Sequence, residues 1–238
     1  DILVVPHAMG NGLTFQDGEG PVLEKVSGPE DLKRLKPQSA TREVAAVCHS
    51  ISRVRRELPP KVSMIGFCGA PWTVASYMVE GRGSDRQEAL RVAHTRPAWF
   101  TRLIDMLVDE SIIYLRAQAE AGAETLQIFD SWAGDLSGHL FDDLSIAPMQ
   151  RITAALRQSH PHVPVIAFAR GAGARHIRVA EGVGCAAIGI EQETDIDQLL
   201  PALPPGIVVQ GNLDPVVLLC EAETIERETP RTAAAVPR

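Results

Sequence analysis

Short segments that are apolar along their whole length alternate with helix-forming segments over most of this chain. We predict strands at the five apolar segments 61–67, 124–129, 163–169, 185–190 and 206–210. Strands of this kind, separated by helices, are typical of a parallel sheet whose faces are both covered. The chain is therefore expected to be α/β, built either as a (β/α)8 barrel or as a doubly wound sheet.

Two features favour the barrel. Polar and glycine residues collect directly after the predicted strands, where barrel enzymes assemble their sites. No glycine fingerprint of a dinucleotide-binding fold follows the first predicted strand, 2–5, which leads into a glycine-rich loop up to residue 20. We predict a single domain of the (β/α)8 TIM-barrel class.

The segment between Gly66 and Gly81 joins a strand end, a tight turn and a helix. Glycines at the turn allow the backbone to approach a ligand closely. Pro71 suits the first turn of a helix, and Gly81 is a typical stop. The segment is interpreted either as one wall of an active site or as an ordinary strand-to-helix turn.

Thr73, Tyr77 and Glu80 fall at positions i, i+4 and i+7 of this predicted helix, so they share one face. Under the first interpretation that face is directed towards a pocket. Under the second, Tyr77 is a half-buried side chain with its hydroxyl in water.

Composition excludes several classes of protein. The chain has 238 residues, 45% of them apolar, and a net charge of −7, which suits a core-forming protein and not a nucleic-acid binder. No apolar stretch approaches the roughly 20 residues of a membrane span, and a signal peptide is not recognised. Four dispersed cysteines lack metal-ligand spacing and are predicted to be reduced thiols. We expect a cytoplasmic protein without a membrane or nucleic-acid partner.

The sixteen residues 66–81, GFCGAPWTVASYMVEG, are similar to the central motif of the uroporphyrinogen decarboxylase family. Four further segments resemble that family in the same order. They are DILVVPHAMG at 1–10, QIFDSWAG at 127–134, FARGAG at 168–173 and QGNLDP at 210–215. Family members remove carboxyl groups from the acetate side chains of a porphyrinogen, so the resemblance implies conversion of uroporphyrinogen III to coproporphyrinogen III.

The resemblance covers 1–227, which we predict to be a partial barrel domain, and 228–238 is predicted to be a non-matching, disordered tail. The first barrel strand with its arginine-rich loop and the final strand have no counterpart, so an incomplete barrel and strongly reduced turnover are expected. The family also implies a homodimer.

After the sixth strand this chain has Gly189-Ile190-Glu191-Gln192 where the family commonly has Gly-Leu-Asp-Trp. Different packing is expected at that position.

The resemblance implies a reaction without metal or organic cofactor, because the protonated pyrrole ring acts as the electron sink. It assigns to Asp1 the carboxylate that binds pyrrole N–H groups and balances the cationic intermediate. Tyr77 and Ser131 match residues that contact the substrate. From the residues alone, Asp1 is interpreted as a frayed, solvated terminus and Ser131 as a helix N-cap ahead of Trp132 in preference to a substrate contact.

Arg170 follows a predicted strand and is the candidate cation for a substrate carboxylate, with a salt bridge at the rim as the alternative. Asp130 is not expected to be catalytic, because a further buried carboxylate would repel a polyanionic substrate. The seven histidines are scattered, so packing or solvated roles are expected for them.

Two other functions are open at this point. A zinc-dependent corrinoid or thiol methyltransferase of the same superfamily would need cysteine and histidine ligands, and no His-x-Cys pair follows a strand. A non-catalytic porphyrinogen-binding remnant would bind a tetrapyrrole without forming product.

Overall fold

The computed structural model describes residues 2–16, 20–37 and 42–234. Its helices are α1 Val4–Ala8, α2 Pro29–Leu32, α3 Arg42–Glu57, α4 Pro71–Glu80, α5 Gln87–Thr95, α6 Ala98–Glu120, α7 Gly138–Phe141, α8 Ala147–Ser159, α9 His176–Gly182, α10 Ile196–Leu199 and α11 Ala222–Ala234. Its strands are β1 Leu13–Gln16, β2 Gly20–Leu23, β3 Ile65–Gly69, β4 Thr125–Asp130, β5 Val165–Ala169, β6 Ala187–Gly189 and β7 Val208–Gln210.

Five strands form a parallel sheet in the order β3-β4-β5-β6-β7. Each neighbour in the sheet is also the next of these strands along the chain, as in the wall of a barrel, whereas a doubly wound sheet reverses its order at a switch point. Five of the six predicted strands are present, all except 2–5, and the predicted α/β, barrel-like class is confirmed.

Helix α4 has the ends that its sequence predicts. Pro71 occupies the first turn, and Gly81 closes the helix with a φ of 79°. Only glycine adopts this left-handed conformation readily, so Gly81 itself determines where the helix ends. Pro71 and Gly81 therefore fix the length of the helix that carries Thr73 and Tyr77.

Helix α6 is the long amphipathic helix expected from its spacing of apolar residues. It follows Pro97, ends before Gly122, and packs against α4, α8 and β3. Leu103, Leu107 and Leu115 on its inner face are fully buried. This helix covers the outside of the sheet, which leaves the strand ends free to form a site.

The amino-terminal region differs from the prediction. Residues 2–5 were expected to form a strand, but the chain turns at Ile2 and forms α1, with Val5, Ala8 and Met9 buried in the core. The predicted glycine-rich loop instead contains an antiparallel pair, β1 and β2. Tertiary packing has overridden the strand preference of a short apolar segment.

The carboxyl-terminal end is helical beyond the predicted domain boundary. Helix α11 continues across residue 227 to Ala234, with Pro230 inside it. Residues 228–234 are therefore helical, whereas a disordered tail was predicted for 228–238. Residues 235–238 lie outside the described residues. None of the described helices is both long and apolar enough to span a lipid bilayer.

Candidate active site

Three neighbouring strands bring the predicted site segments together. In the parallel register Gly69 pairs with Phe129, and Asp130 pairs with Ala169. The amide of Arg170 donates to the carbonyl oxygen of Asp130 at 3.0 Å, which extends the pairing beyond the strands. The segments that follow β3, β4 and β5 are therefore adjacent at one edge of the sheet.

A cavity of about 520 Å³ opens at this edge. Ser131 and Arg170, two of the predicted substrate-binding residues, both line it. Arg86, Asp135 and Glu191 line it as well, and none of these three was a predicted site residue. The cavity thus holds two cationic and at least two anionic side chains.

The structure narrows the alternatives for Ser131 and Arg170. The short 3-10 helix Ala133–Asp135 has Trp132 at its N-cap position and no side-chain cap, so Ser131 is not an N-cap residue. Arg170 is exposed and makes no salt bridge to a described residue, so the rim-salt-bridge alternative finds no partner there. Asp1 lies outside the described residues, and its place in the site stays a prediction.

Tyr77, the third predicted substrate-binding residue, does not line the cavity but packs behind Trp132, which does. Its ring packs on Trp132 with centroids 4.2 Å apart and an interplanar angle of 33°. Burial raises the pKa of the Tyr77 phenol, while the nearby Arg86 partly opposes this. The phenol therefore remains protonated at neutral pH and can act as a hydrogen-bond donor.

Thr73, on the same face of α4, does not reach the cavity. Its hydroxyl donates to Asp130 Oδ1 at 2.7 Å, and Ser145 donates to the other oxygen at 2.5 Å. Burial raises the pKa of Asp130 to about 6, although both hydrogen bonds act in the opposite direction. Asp130 is thus a buried carboxyl group that anchors the loop of Ser131.

Glu191 occupies the position at which the sequence departs from the family. It lies 3.0 Å from Nε2 of the fully buried His176 and accepts from the Thr194 hydroxyl at 2.8 Å. Burial by itself would raise the pKa of Glu191, but the hydrogen bonds from His176 and Thr194 prevail and lower it to about 2. Its position directly after a strand was the one sequence signal that it belongs to the site.

Arg175 joins two loops of the site. Its guanidinium donates to the carbonyl oxygens of Gly134 and Gly171, each at 3.2 Å, and also to that of Leu136. It lies 4.3 Å from the centroid of the Phe141 ring. Gly134 and Gly171 approach so closely that a Cβ on Gly134 would lie 3.0 Å from the Gly171 Cα. The sequence gives no signal for this role, because the Gly134 and Leu136 carbonyls come from a segment 41 and 39 residues away.

The cavity wall offers hydrogen-bond donors and two arginines, beside the carboxylates of Asp135, Glu191 and Glu193. Within the described ranges, no three His, Cys, Asp or Glu side chains are grouped so that they could hold a metal ion. Cys68 and Cys185 are buried, Cys48 is partly buried and Cys220 is exposed, all as free thiols. The exposed Arg170, without an ion pair to a described residue, is suited to binding a carboxylate.

A solved structure of a methyltransferase from Methanosarcina mazei has the same fold, with a TM-score of 0.79 at 19% identity, covering 99% of this chain and 69% of that one. At this identity the likeness concerns the fold alone.

Sequence comparisons identify the family. The family model for uroporphyrinogen decarboxylase (URO-D) matches residues 1–236, which extends beyond the predicted boundary at 227. Uroporphyrinogen decarboxylase of Paracoccus denitrificans is 42% identical over 241 residues, covering 100% of this chain and 70% of that protein. Those of Rhizorhabdus wittichii and Granulibacter bethesdensis are 42% and 44% identical, covering 100% and 96% of this chain and 69% and 67% of theirs. This chain therefore belongs to the uroporphyrinogen decarboxylase family.

Proposed function

We propose that this protein is a carboxy-lyase that converts uroporphyrinogen III to coproporphyrinogen III in haem biosynthesis, without a cofactor. The observation that carries the proposal is the family match over residues 1–236, together with relatives of that name at about 42% identity. The cavity at the strand ends supports it, because Arg170 in its wall has no ion pair to a described residue and can bind a substrate carboxylate.

Three described residues supply donors for the substrate. Arg170 provides a cation for a carboxylate, and no described side chain competes for it. Ser131 offers a hydroxyl at the cavity wall. Tyr77 offers a phenol that burial keeps protonated. Charge-assisted hydrogen bonds of this kind contribute on the order of 1.5–3 kcal/mol each.

Asp1 has a separate task in the proposal. Its carboxylate accepts hydrogen bonds from the pyrrole N–H groups and balances the positive charge that develops when the ring is protonated. The bonding electron pair released with carbon dioxide passes into the protonated ring and forms an exocyclic double bond. Protonation of the exocyclic carbon then yields the methyl group, and loss of the proton first added to the ring restores the neutral pyrrole. Ile2, which follows Asp1 in the chain, lies against Gly69 at the end of β3. A Cβ built on Gly69 would be 3.0 Å from the Ile2 Cβ.

The proposal is tested by anaerobic incubation of the chain with chemically reduced uroporphyrinogen III, followed by chromatographic separation of the products by their number of carboxyl groups. We expect species with seven to four carboxyl groups. Arg170→Gln is expected to raise KM by about tenfold, as estimated for one charge-assisted bond. Arg96→Gln is the matched control, because Arg96 forms its ion pair with Asp143 away from this cavity.

The outcome distinguishes decarboxylation from simple binding. Binding of uroporphyrin without any product would identify a porphyrin-binding protein and contradict the proposed reaction. Neither binding nor product would contradict the proposed substrate altogether.

We also propose that the protein is a cytoplasmic homodimer. Among the described strands β7 is at one edge of the large sheet, and its Val208 is 61% exposed, which favours association. Sedimentation analysis of the purified chain tests the dimer, and a monomer at all concentrations would contradict it.

A further inference from the structure

Arg86 is held at the cavity wall by contacts from three sides. Its guanidinium carbon lies 4.8 Å from the centroid of the Trp132 ring. Its Nη1 donates to the carbonyl oxygen of Ser84 at 2.5 Å, and its Nε donates to Asp135. Because Trp132 packs in turn on Tyr77, a cation, an indole and a phenol form one stack beside the cavity.

The backbone at Arg86 is unusual as well. Arg86 has a φ of 61°, in the left-handed region that residues other than glycine seldom occupy, and it directly precedes α5. The ring of Trp132 and the carbonyl of Ser84 therefore orient a side chain whose backbone is itself constrained. A guanidinium fixed in this way loses little conformational freedom when it binds an anion.

Not all of the guanidinium is occupied. Its Nη2 makes no hydrogen bond to any described residue, and the Arg86 side chain is 21% exposed. Its anionic partner Asp135 is 32% exposed and lines the same cavity. An ion pair this accessible to solvent contributes little to stability.

The charges around the cavity also need explanation. The side chains of Asp135, Glu191 and Glu193 line it, and they would repel a substrate with eight carboxylates. Glu191 is held by His176 and Thr194. Asp135 forms an ion pair with Arg86, so this arginine balances the charge of the Asp135 carboxylate and also lies where it can bind a substrate carboxylate.

We propose that Arg86 is a second carboxylate-binding residue of the cavity beside Arg170, and that Asp135 occupies its guanidinium until a substrate carboxylate displaces it. This inference rests on the proposed function and adds to it a residue that no family motif singles out. It makes Asp135 a competitor of the substrate and not a support for Arg86.

If Asp135 competes with the substrate for Arg86, Asp135→Asn should change the affinity for a polycarboxylate in the opposite direction from that expected if Asp135 holds Arg86 in place. If Asp135 competes, Asp135→Asn frees the guanidinium and tightens the binding of a polycarboxylate. If the pair only holds the loop in shape, removing either partner weakens binding alike. Arg86→Gln weakens binding in both cases, and loss of the Asp135 charge by itself also favours a polyanion. The decision therefore needs the sign for Asp135→Asn together with the double variant, because competition predicts that Asp135→Asn has no effect once Arg86 is absent.

The experiment titrates the chain with uroporphyrin, which carries eight carboxylates, and with coproporphyrin, which carries four, by isothermal calorimetry. We expect Arg86→Gln to weaken uroporphyrin binding by about tenfold, and Asp135→Asn to strengthen it about threefold. The double variant should match Arg86→Gln, because Asp135 has nothing to block once Arg86 is absent. Arg86→Lys should restore part of the affinity, and coproporphyrin should be less sensitive throughout.

Arg96→Gln is the control, since Arg96 also has a positive φ, of 42°, adjoins the same helix and forms one ion pair. Its affinity should equal that of the unaltered chain, and thermal unfolding of every variant verifies folding. Unchanged or weaker binding by Asp135→Asn, unchanged binding by Arg86→Gln, or a double variant that binds more tightly than Arg86→Gln would overturn the inference and leave the proposed function standing. No binding of uroporphyrin by the unaltered chain would overturn both.

Discussion

Asp130 shows how one residue can shape a site without entering it. It is fully buried, and Thr73 and Ser145 donate to its two oxygens. The amide of Trp132 lies 3.3 Å from the Thr73 hydroxyl, so the same network fixes the start of the Ser131 loop. The carboxyl group therefore supports the cavity wall from behind.

Replacement of Asp130 by Asn should change the dependence of stability on pH. Burial raises the pKa of Asp130 to about 6 from an ordinary value of 3.8, so the folded state retains a proton that the unfolded state releases. Its contribution to stability is complete below pH 3.8 and is lost as the pH rises through 6. The unaltered chain should thus lose up to about 3 kcal/mol from this group between pH 4 and pH 7, a loss that Asp130→Asn lacks.

Urea unfolding at a series of pH values measures this difference. Asp143→Asn is the control, because Asp143 belongs to an ion pair that is about 40% exposed and is expected to alter the profile little. Equal pH slopes for the unaltered chain and for Asp130→Asn would refute the assignment.

At the scale of elements, Arg175 connects the loop after β4 with the loop after β5. Arg175→Gln should destabilise the protein by about 1–3 kcal/mol, because carbonyl oxygens at Gly134 and Gly171 lose their donor. Hydrogen exchange should accelerate in 131–137 and 170–174 and stay unchanged in α6. Arg178→Gln is the matched control: Arg178 also lies near Phe141, 5.9 Å from its centroid, but its ion pair is with Asp142. Faster exchange throughout the chain would indicate global destabilisation and contradict a local role.

Some of these elements and site residues could be predicted from the sequence, and others could not. Strands β3 to β7 and helices α4 and α6 follow from apolar runs bounded by glycine and proline, which are local signals. Ser131 and Arg170 follow from their positions after strands. Arg86 and Arg175 could not be found in this way, because the partners that place them at the site, Asp135 for Arg86 and the loop of Gly134 for Arg175, lie 49 and about 40 residues away along the chain. Helix α1 was missed because packing, not propensity, decides so short a segment.

At the scale of the whole molecule, one hydrophobic core connects the amino-terminal helix with the last strand. The cluster of buried side chains runs from Leu3 to Val209 and includes the inner face of α6. A single core of this kind is expected to unfold as one cooperative unit. The described chain should therefore behave as one domain, without an independently stable half.

Leu107→Ala tests this unity. Leu107 is fully buried on α6, which packs against α4, α8 and β3, so its truncation should lower the free energy of unfolding by about 2–5 kcal/mol. Circular dichroism and tryptophan fluorescence should report the same lowered midpoint in urea, because one core serves every element. Ile113→Ala on the same helix, where the side chain is 40% exposed, should change stability by less than about 1 kcal/mol. Separate midpoints from the two probes would show that part of the chain folds independently, and the single-core argument would then be wrong.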